Sequence, residues 1–135
     1  MKTVIPYLVV AGAIQWLIAS ANLVIPRKLR YAENLERLTP IVRQVFVVHA
    51  IYIVGVLLFF GAMSMVFATD LAGGSALGRC VSAFLAAFWL ARVGVQLFYY
   101  DAATKRANRI AHAAFTAMFA YLGVVFAVAA LGGAR

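Results

Sequence analysis

Arg92 stands in the stretch Phe88 to Asp101, FWLARVGVQLFYYD, among residues apolar enough for the inside of a membrane. A guanidinium at the bilayer centre costs about 2.5–3.5 kcal/mol on insertion scales, so the position calls for a partner. On a regular helix Arg92 shares its face with Phe88 and Trp89 one turn back and with Gln96 and Tyr99 further on. Counted from Tyr100 at 1.5 Å per residue, Arg92 lies roughly 12 Å inside the cytoplasmic boundary, and His49 lies roughly 9 Å inside from Arg43. Tyr52 follows His49 by one turn, and Gln15 and Asn22, seven residues apart, share a face of the first apolar stretch. Arg92, Gln96, His49, Tyr52, Gln15 and Asn22 are therefore expected to line a polar pocket toward the cytoplasmic half. Such a pocket could receive the oxygens of a quinone or of a lipid headgroup.

None of the four apolar stretches contains a carboxylate, and Asp101, nine residues from Arg92, falls nearly on the opposite face. The counter-charge is expected from carbonyls, from the amides of Gln15 or Gln96, or from an anionic ligand or partner. Haem b is the alternative ligand: His49 and His112 are the only histidines, and an arginine could meet haem propionates. His112 follows Arg109 by three residues, so the two imidazoles are expected at different depths. The plainer alternative is that all these side chains bridge helices by hydrogen bonds. No metal-ligand spacing, nucleophile motif or Gly-rich phosphate loop occurs, and the four acidic residues all lie in loops or interfacial positions, so no catalytic residue is assigned. The lone Cys80 permits no internal disulfide and no C-x-x-C-H haem attachment.

The elements that would position these groups follow from composition. Of 135 residues, 66% are hydrophobic and the mean hydropathy is +0.97, well above a soluble domain. Apolar runs cover about 4–25, 45–68, 81–100 and 110–131, each long enough to cross roughly 30 Å of hydrocarbon as a helix. The expectation is a single all-α transmembrane domain over 1–135, an integral membrane antiparallel four-helix bundle. The first run, although preceded by MKT and containing ASA at Ala19 to Ala21, continues to Ile25 and reads as an uncleaved span.

A net charge of +8 would suggest nucleic acid in a soluble chain, but its distribution points to topology. Arg27, Lys28, Arg30, Arg37 and Arg43 cluster around the first loop and Lys105, Arg106 and Arg109 around the third; the other side has only Lys2, Arg79 and Arg135. The basic loops are thus expected in the cytoplasm against anionic headgroups, with both termini outside. In the first loop, Leu29, Ala32, Leu35 and Leu38 recur at helical intervals with Glu33 and Arg37 four apart, predicting an interfacial helix over about 29–38. Thr39 and Pro40 fit the N-cap and first residue of the second span, and the paired glycines of DLAGGSALG predict a flexible turn. Stripes of Ala83, Ala87 and Ala91 and of Ala113, Ala117, Ala120 and Ala127 are expected at helix contacts within the bundle, with contact to neighbouring subunits as the alternative.

The segments LTPIVRQVFVVHAIYI, Leu38 to Ile53, and FWLARVGVQLFYYD together resemble small four-span inner-membrane proteins of bacteria that carry no assigned activity. The resemblance implies bacterial membrane residence and no functional residue. The reading that follows is a noncatalytic accessory subunit of a larger membrane complex, or a small lipid- or quinone-binding protein, with a haem b or quinone-linked electron-transfer subunit as the alternative.

Overall fold

The computed structural model describes residues 2–132, and 3–132 for side chains; the charged groups of Lys2 and Arg135, counted above for topology, lie outside the described residues. Every regular element among the described residues is helical, and four helices are long and apolar enough to cross a membrane. In chain order these elements are a 3-10 turn, Lys2–Val4, then α1, Ile5–Lys28; α2, Tyr31–Glu36; α3, Pro40–Val66; α4, Ala68–Ala72; α5, Ala76–Gly94; a π-helical turn, Val95–Tyr99; α6, Ala102–Ala107; and α7, Arg109–Gly132. Two compact units divide the chain, Gly12–Val66 and Met1–Ala11 with Phe67–Arg135.

In the unit Gly12–Val66, α1 and α3 run antiparallel and meet at glycines. A Cβ added to Gly12 would lie 2.6 Å from Met65 Cγ and 2.7 Å from the Gly61 carbonyl oxygen; one added to Gly61 would lie 2.3 Å from Trp16 Cδ1. In lipid no water is expelled between helices, so close backbone approach is what supplies dispersion contacts. Hydrogen bonds flank this crossing. Gln15 Nε2 donates to Ser64 Oγ at 3.0 Å, Ser64 Oγ donates to the Phe60 carbonyl at 2.7 Å, and Trp16 Nε1 donates to the Leu58 carbonyl at 3.0 Å.

The Thr39–Pro40 pair starts α3 where expected, since proline at the first helical position gives up no intrahelical donor. The interfacial helix is shorter than the sequence suggests. Arg30, in the left-handed region at φ 53°, turns the chain after α1, and Asn34 Nδ2 donates to the carbonyls of Leu29 and Arg30 at 3.2 Å each. Because α2 ends at Glu36, Arg37 lies beyond it; Glu33 pairs instead with Arg30, at 3.0 Å and in the open. An exposed pair of this kind contributes little to stability.

In the other unit α5 packs antiparallel on α7. Arg79 Nε donates to the Ala130 carbonyl at 3.2 Å at one end, and His112 Nε2 lies 3.0 Å from the Gln96 carbonyl at the other. The buried faces carry Ser82, Leu85, Ala86 and Trp89 on α5 and Phe119, Leu122, Phe126 and Ala129 on α7. This corrects the alanine stripes as contacts within the bundle: Ala83, Ala87, Ala91, Ala113 and Ala117 are exposed. Large side chains interdigitate here, with Leu90 lying over Gly123, where a Cβ would come within 2.6 Å of Leu90 Cδ2. The glycine-rich connection is also more ordered than its composition suggests. It holds α4, with Ala68, Leu71 and Ala72 buried, then Gly74 at φ 77° and Ser75, whose Oγ accepts from the Gly78 amide as N-cap of α5.

The basic third connection forms α6. Asp101 caps it, its Oδ1 accepting the Thr104 amide at 2.6 Å, and this bond holds the carboxyl below its ordinary value of 3.8. Because the folded value is the lower one, the stabilisation is complete above the ordinary carboxylate pKa and is lost as pH falls through the folded value. Protection of the Thr104 amide against hydrogen exchange should therefore fall on acidification below 3.8. In Asp101→Asn, whose side chain caps without titrating, protection should stay flat with pH.

Candidate ligand groove

The expected polar residues fall into two groups. Asn22, His49, Tyr52 and Gln15 belong to the unit Gly12–Val66, and Arg92, Gln96 and His112 to the other. Each group has its own geometry.

In the first, α1, α2 and α3 frame a groove of about 480 Å³ lined by Asn22, Ile25, Pro26, Tyr31, Phe46, His49, Ala50, Tyr52, Ile53 and Val56. Its volume falls in the usual range of small-ligand sites, apolar walls around a few polar atoms. The walls follow from helical spacing: Phe46, His49, Ile53 and Val56 recur on one face of α3, and Asn22, Ile25 and Pro26 lie in the last turns of α1. Tyr31, the first residue of α2, meets Phe46 edge to face with ring centroids 5.6 Å apart. Tyr52 is 71% exposed.

The polar atoms of the groove are oriented by their own helices. His49 Nδ1 lies 2.8 Å from the Val45 carbonyl, one turn back, and only a protonated Nδ1 can donate there. In the neutral ring that leaves Nε2 as a lone-pair acceptor. Asn22 Nδ2 donates to the Ile18 carbonyl at 2.8 Å, which leaves the amide its second N–H as a donor and Oδ1 as an acceptor. Gln15 is not part of this lining; it is buried beside the glycine crossing and bonded to Ser64. Tyr31, Pro26 and Phe46 are not singled out by the sequence reading, although a tyrosine beside a basic loop, as at Tyr31, is a readable sign of an interfacial aromatic.

In the other unit Arg92 lies over the Phe119 ring, its Cζ 5.1 Å from the centroid, and Phe119 stacks on Trp89 at 5.5 Å. The described partner of the half-buried guanidinium is thus an aromatic face, a contact that contributes about 0.5–2 kcal/mol depending on desolvation. Gln96 is buried at 7% exposure, whereas Tyr99 is 81% exposed, so the expected continuous stripe from Phe88 to Tyr99 breaks. The cause is the π-helical turn, whose wider winding rotates the residues beyond Gly94 away from a regular helical register. Carbonyls in this turn are taken by side chains from the next elements, Leu97 by Lys105 Nζ and Gln96 by His112 Nε2. With Nε2 on a carbonyl, His112 does not present that nitrogen to a haem iron.

No group of three or more His, Cys, Asp or Glu side chains that could hold a metal ion occurs among the described residues. A second hollow, of about 510 Å³, is lined by Thr3, Val4, Tyr7, Ala120, Tyr121, Val124, Val125 and Val128. There the Tyr121 hydroxyl is already donating to the Tyr7 carbonyl at 3.2 Å, so the groove around His49 has the more available polar atoms. Comparison with family models, curated proteins and solved structures finds no match to this chain.

Proposed function

We propose that this chain is a noncatalytic protein of the bacterial inner membrane that binds a membrane-dissolved amphiphile, a lipid or a quinone, in the α1–α3 groove and serves as an accessory subunit of a larger membrane complex. One observation carries the binding reading: His49 Nε2 and the Asn22 amide are left with hydrogen-bonding capacity, beside the Tyr31 and Tyr52 hydroxyls, in a mostly apolar trough. The accessory reading is supported by α3, whose residues Ile41 to His49 are exposed on every side of the helix. Cytoplasmic placement of the first and third loops is supported by their basic residues, which would also meet anionic headgroups. The noncatalytic reading rests on the acid-free spans, which supply no general acid–base pair.

The test is extraction of the purified protein, in mild detergent, followed by mass spectrometry of bound small molecules. A lipid or quinone at near one per chain is expected. It should be lost in Ala50→Trp, which fills the groove, and kept in Val48→Trp, which lies outside the lining. Equal occupancy in both variants would remove the groove as the site. A stoichiometric Soret band lost in His49→Ala would replace this reading with the haem b alternative, and for that ligation the His112 bond to Gln96 would have to open. The same gentle extraction should bring down larger subunits with the chain, and a protein recovered alone would count against the accessory role.

A further inference from the structure

Resting on the groove reading above, we infer that the occupant is an anionic diacyl phospholipid, held by its phosphate at Arg43 and by its glycerol esters at the polar atoms one to two turns deeper. Charge selects the headgroup. Between residues 27 and 43 five cations, Arg27, Lys28, Arg30, Arg37 and Arg43, stand against the carboxylates of Glu33 and Glu36, and Glu33 is already paired with Arg30. Arg43 belongs to the groove's own face of α3: it precedes Phe46 by three residues and Ala50 by seven, and both of these line the groove. The Arg43 side chain is exposed and has no ion pair or hydrogen bond among the described residues, so its guanidinium keeps its fork of donors for phosphate oxygens.

Depth selects the lipid backbone. His49 lies six residues past Arg43 on α3, and Asn22 six residues before Lys28 on α1, so both sit roughly 9 Å inward of the basic rim. The headgroup region of one leaflet is roughly 5–8 Å thick. A lipid whose phosphate sits at Arg43 therefore brings its ester carbonyls toward the level of Asn22 and His49. Ester carbonyls only accept, and the groove holds donors for them: the second N–H of Asn22 Nδ2 and the hydroxyls of Tyr31 and Tyr52. Ile53 and Val56 continue the lining deeper as an apolar wall for one acyl chain. Because His49 and Tyr52 are exposed, the groove is open at its side and the second chain stays in the bilayer.

The same donors would also serve the carbonyls of a quinone, but a quinone brings no charge to Arg43. Phosphatidylcholine sets a quaternary ammonium against the surplus cations. Each cation beside an anionic lipid contributes a factor of about five in affinity.

The experiment is a native mass spectrometry titration of the full chain, delipidated in mild detergent, with phosphatidylglycerol, with phosphatidylcholine of the same acyl chains and with 2-decyl-1,4-benzoquinone. Phosphatidylglycerol is expected at one per chain, about tenfold tighter or more than phosphatidylcholine. Arg43→Gln should reduce that preference about fivefold and Arg43→Lys should keep most of it, with helicity confirming that each variant is folded. Arg106→Gln, in the other basic connection, should leave the preference unchanged. Equal binding of the two phospholipids would overturn the inference, as would a quinone that binds tighter than phosphatidylglycerol. In either case, loss of the bound species in Ala50→Trp would leave the groove reading in place, and its retention there would end that reading as well. A preference that survives in Arg43→Gln, or that falls as far in Arg106→Gln, would also overturn the inference, because the lipid would then answer to the net charge of the chain and not to the groove.

Discussion

Replacing Trp89 by alanine is expected to destabilise the α5–α7 pair by about 3–5 kcal/mol, the range for deleting a large aromatic from a packed interior. Trp89 is only 1% exposed, stacks on Phe119 at 5.5 Å and meets Phe88 edge to face at 5.2 Å. Its loss also removes one wall of the stack on whose other ring, Phe119, the Arg92 guanidinium rests. The contrast with Trp89→Phe makes the expectation specific. Trp89 Nε1 is buried with no hydrogen-bond partner among the described residues, and such an orphan donor costs about 1–3 kcal/mol. Phenylalanine discards that donor and keeps a ring, so the two terms oppose and the net change should be small. SDS titration of the protein in mixed micelles, followed by loss of helicity, measures both. A Trp89→Ala midpoint equal to wild type would show that the stack does not hold the pair together.

The second large effect concerns the glycine crossing of α1 and α3. Gly12→Val should lower stability by about 1–3 kcal/mol or more, because added methyls in a close-packed contact force the backbones apart. The obstacle is not a flexible side chain alone: the Gly61 carbonyl oxygen lies 2.7 Å from where the first added carbon would go. Separation of the helices would stretch the Gln15–Ser64 bond and alter the groove, which is framed by the same two helices. If the proposed amphiphile occupies the groove, it should be lost together with stability. Gly55→Ala is the control, since nothing lies within 4 Å of its added carbon and alanine favours the helix. Equal midpoints for Gly12→Val and wild type would remove the close approach as a stabilising feature.

Much of the secondary structure is legible along the chain because lipid forces the outcome locally. A run of some twenty apolar residues must satisfy its own backbone, and the helix is the form in which each segment does so alone. The spans thus come out within a few residues, and Thr39–Pro40 marks the start of α3. Local hydrogen bonding is harder to foresee. Asp101 and Ser75 as caps turn two stretches expected as loops into an ordered α6 and an earlier α5, and Gly94 marks where regular winding gives way to the π-helical turn.

The candidate site shows where such reading ends. Depth along a helix can be counted from the sequence, and His49 and Asn22 do line one groove. Direction around the helix, and the partner met there, cannot be counted in the same way. Spacing groups Gln15 with them, yet it lies against Ser64 because Gly12 and Gly61 draw the two helices close enough for that bond. The sequence calls for carbonyls, amides or an anion around Arg92, and the fold sets Phe119 beneath it, a quadrupole contributed from a residue 27 positions away.

By itself the sequence determined that this chain forms four apolar helices with basic loops, since both properties are summed over local residues and need no partner. Only the tertiary structure decided which polar atoms are used up between helices and which remain free. That outcome depends on the close approach of side chains distant in sequence and on a rotation at the π-helical turn, and neither is encoded in the composition or period of a single span.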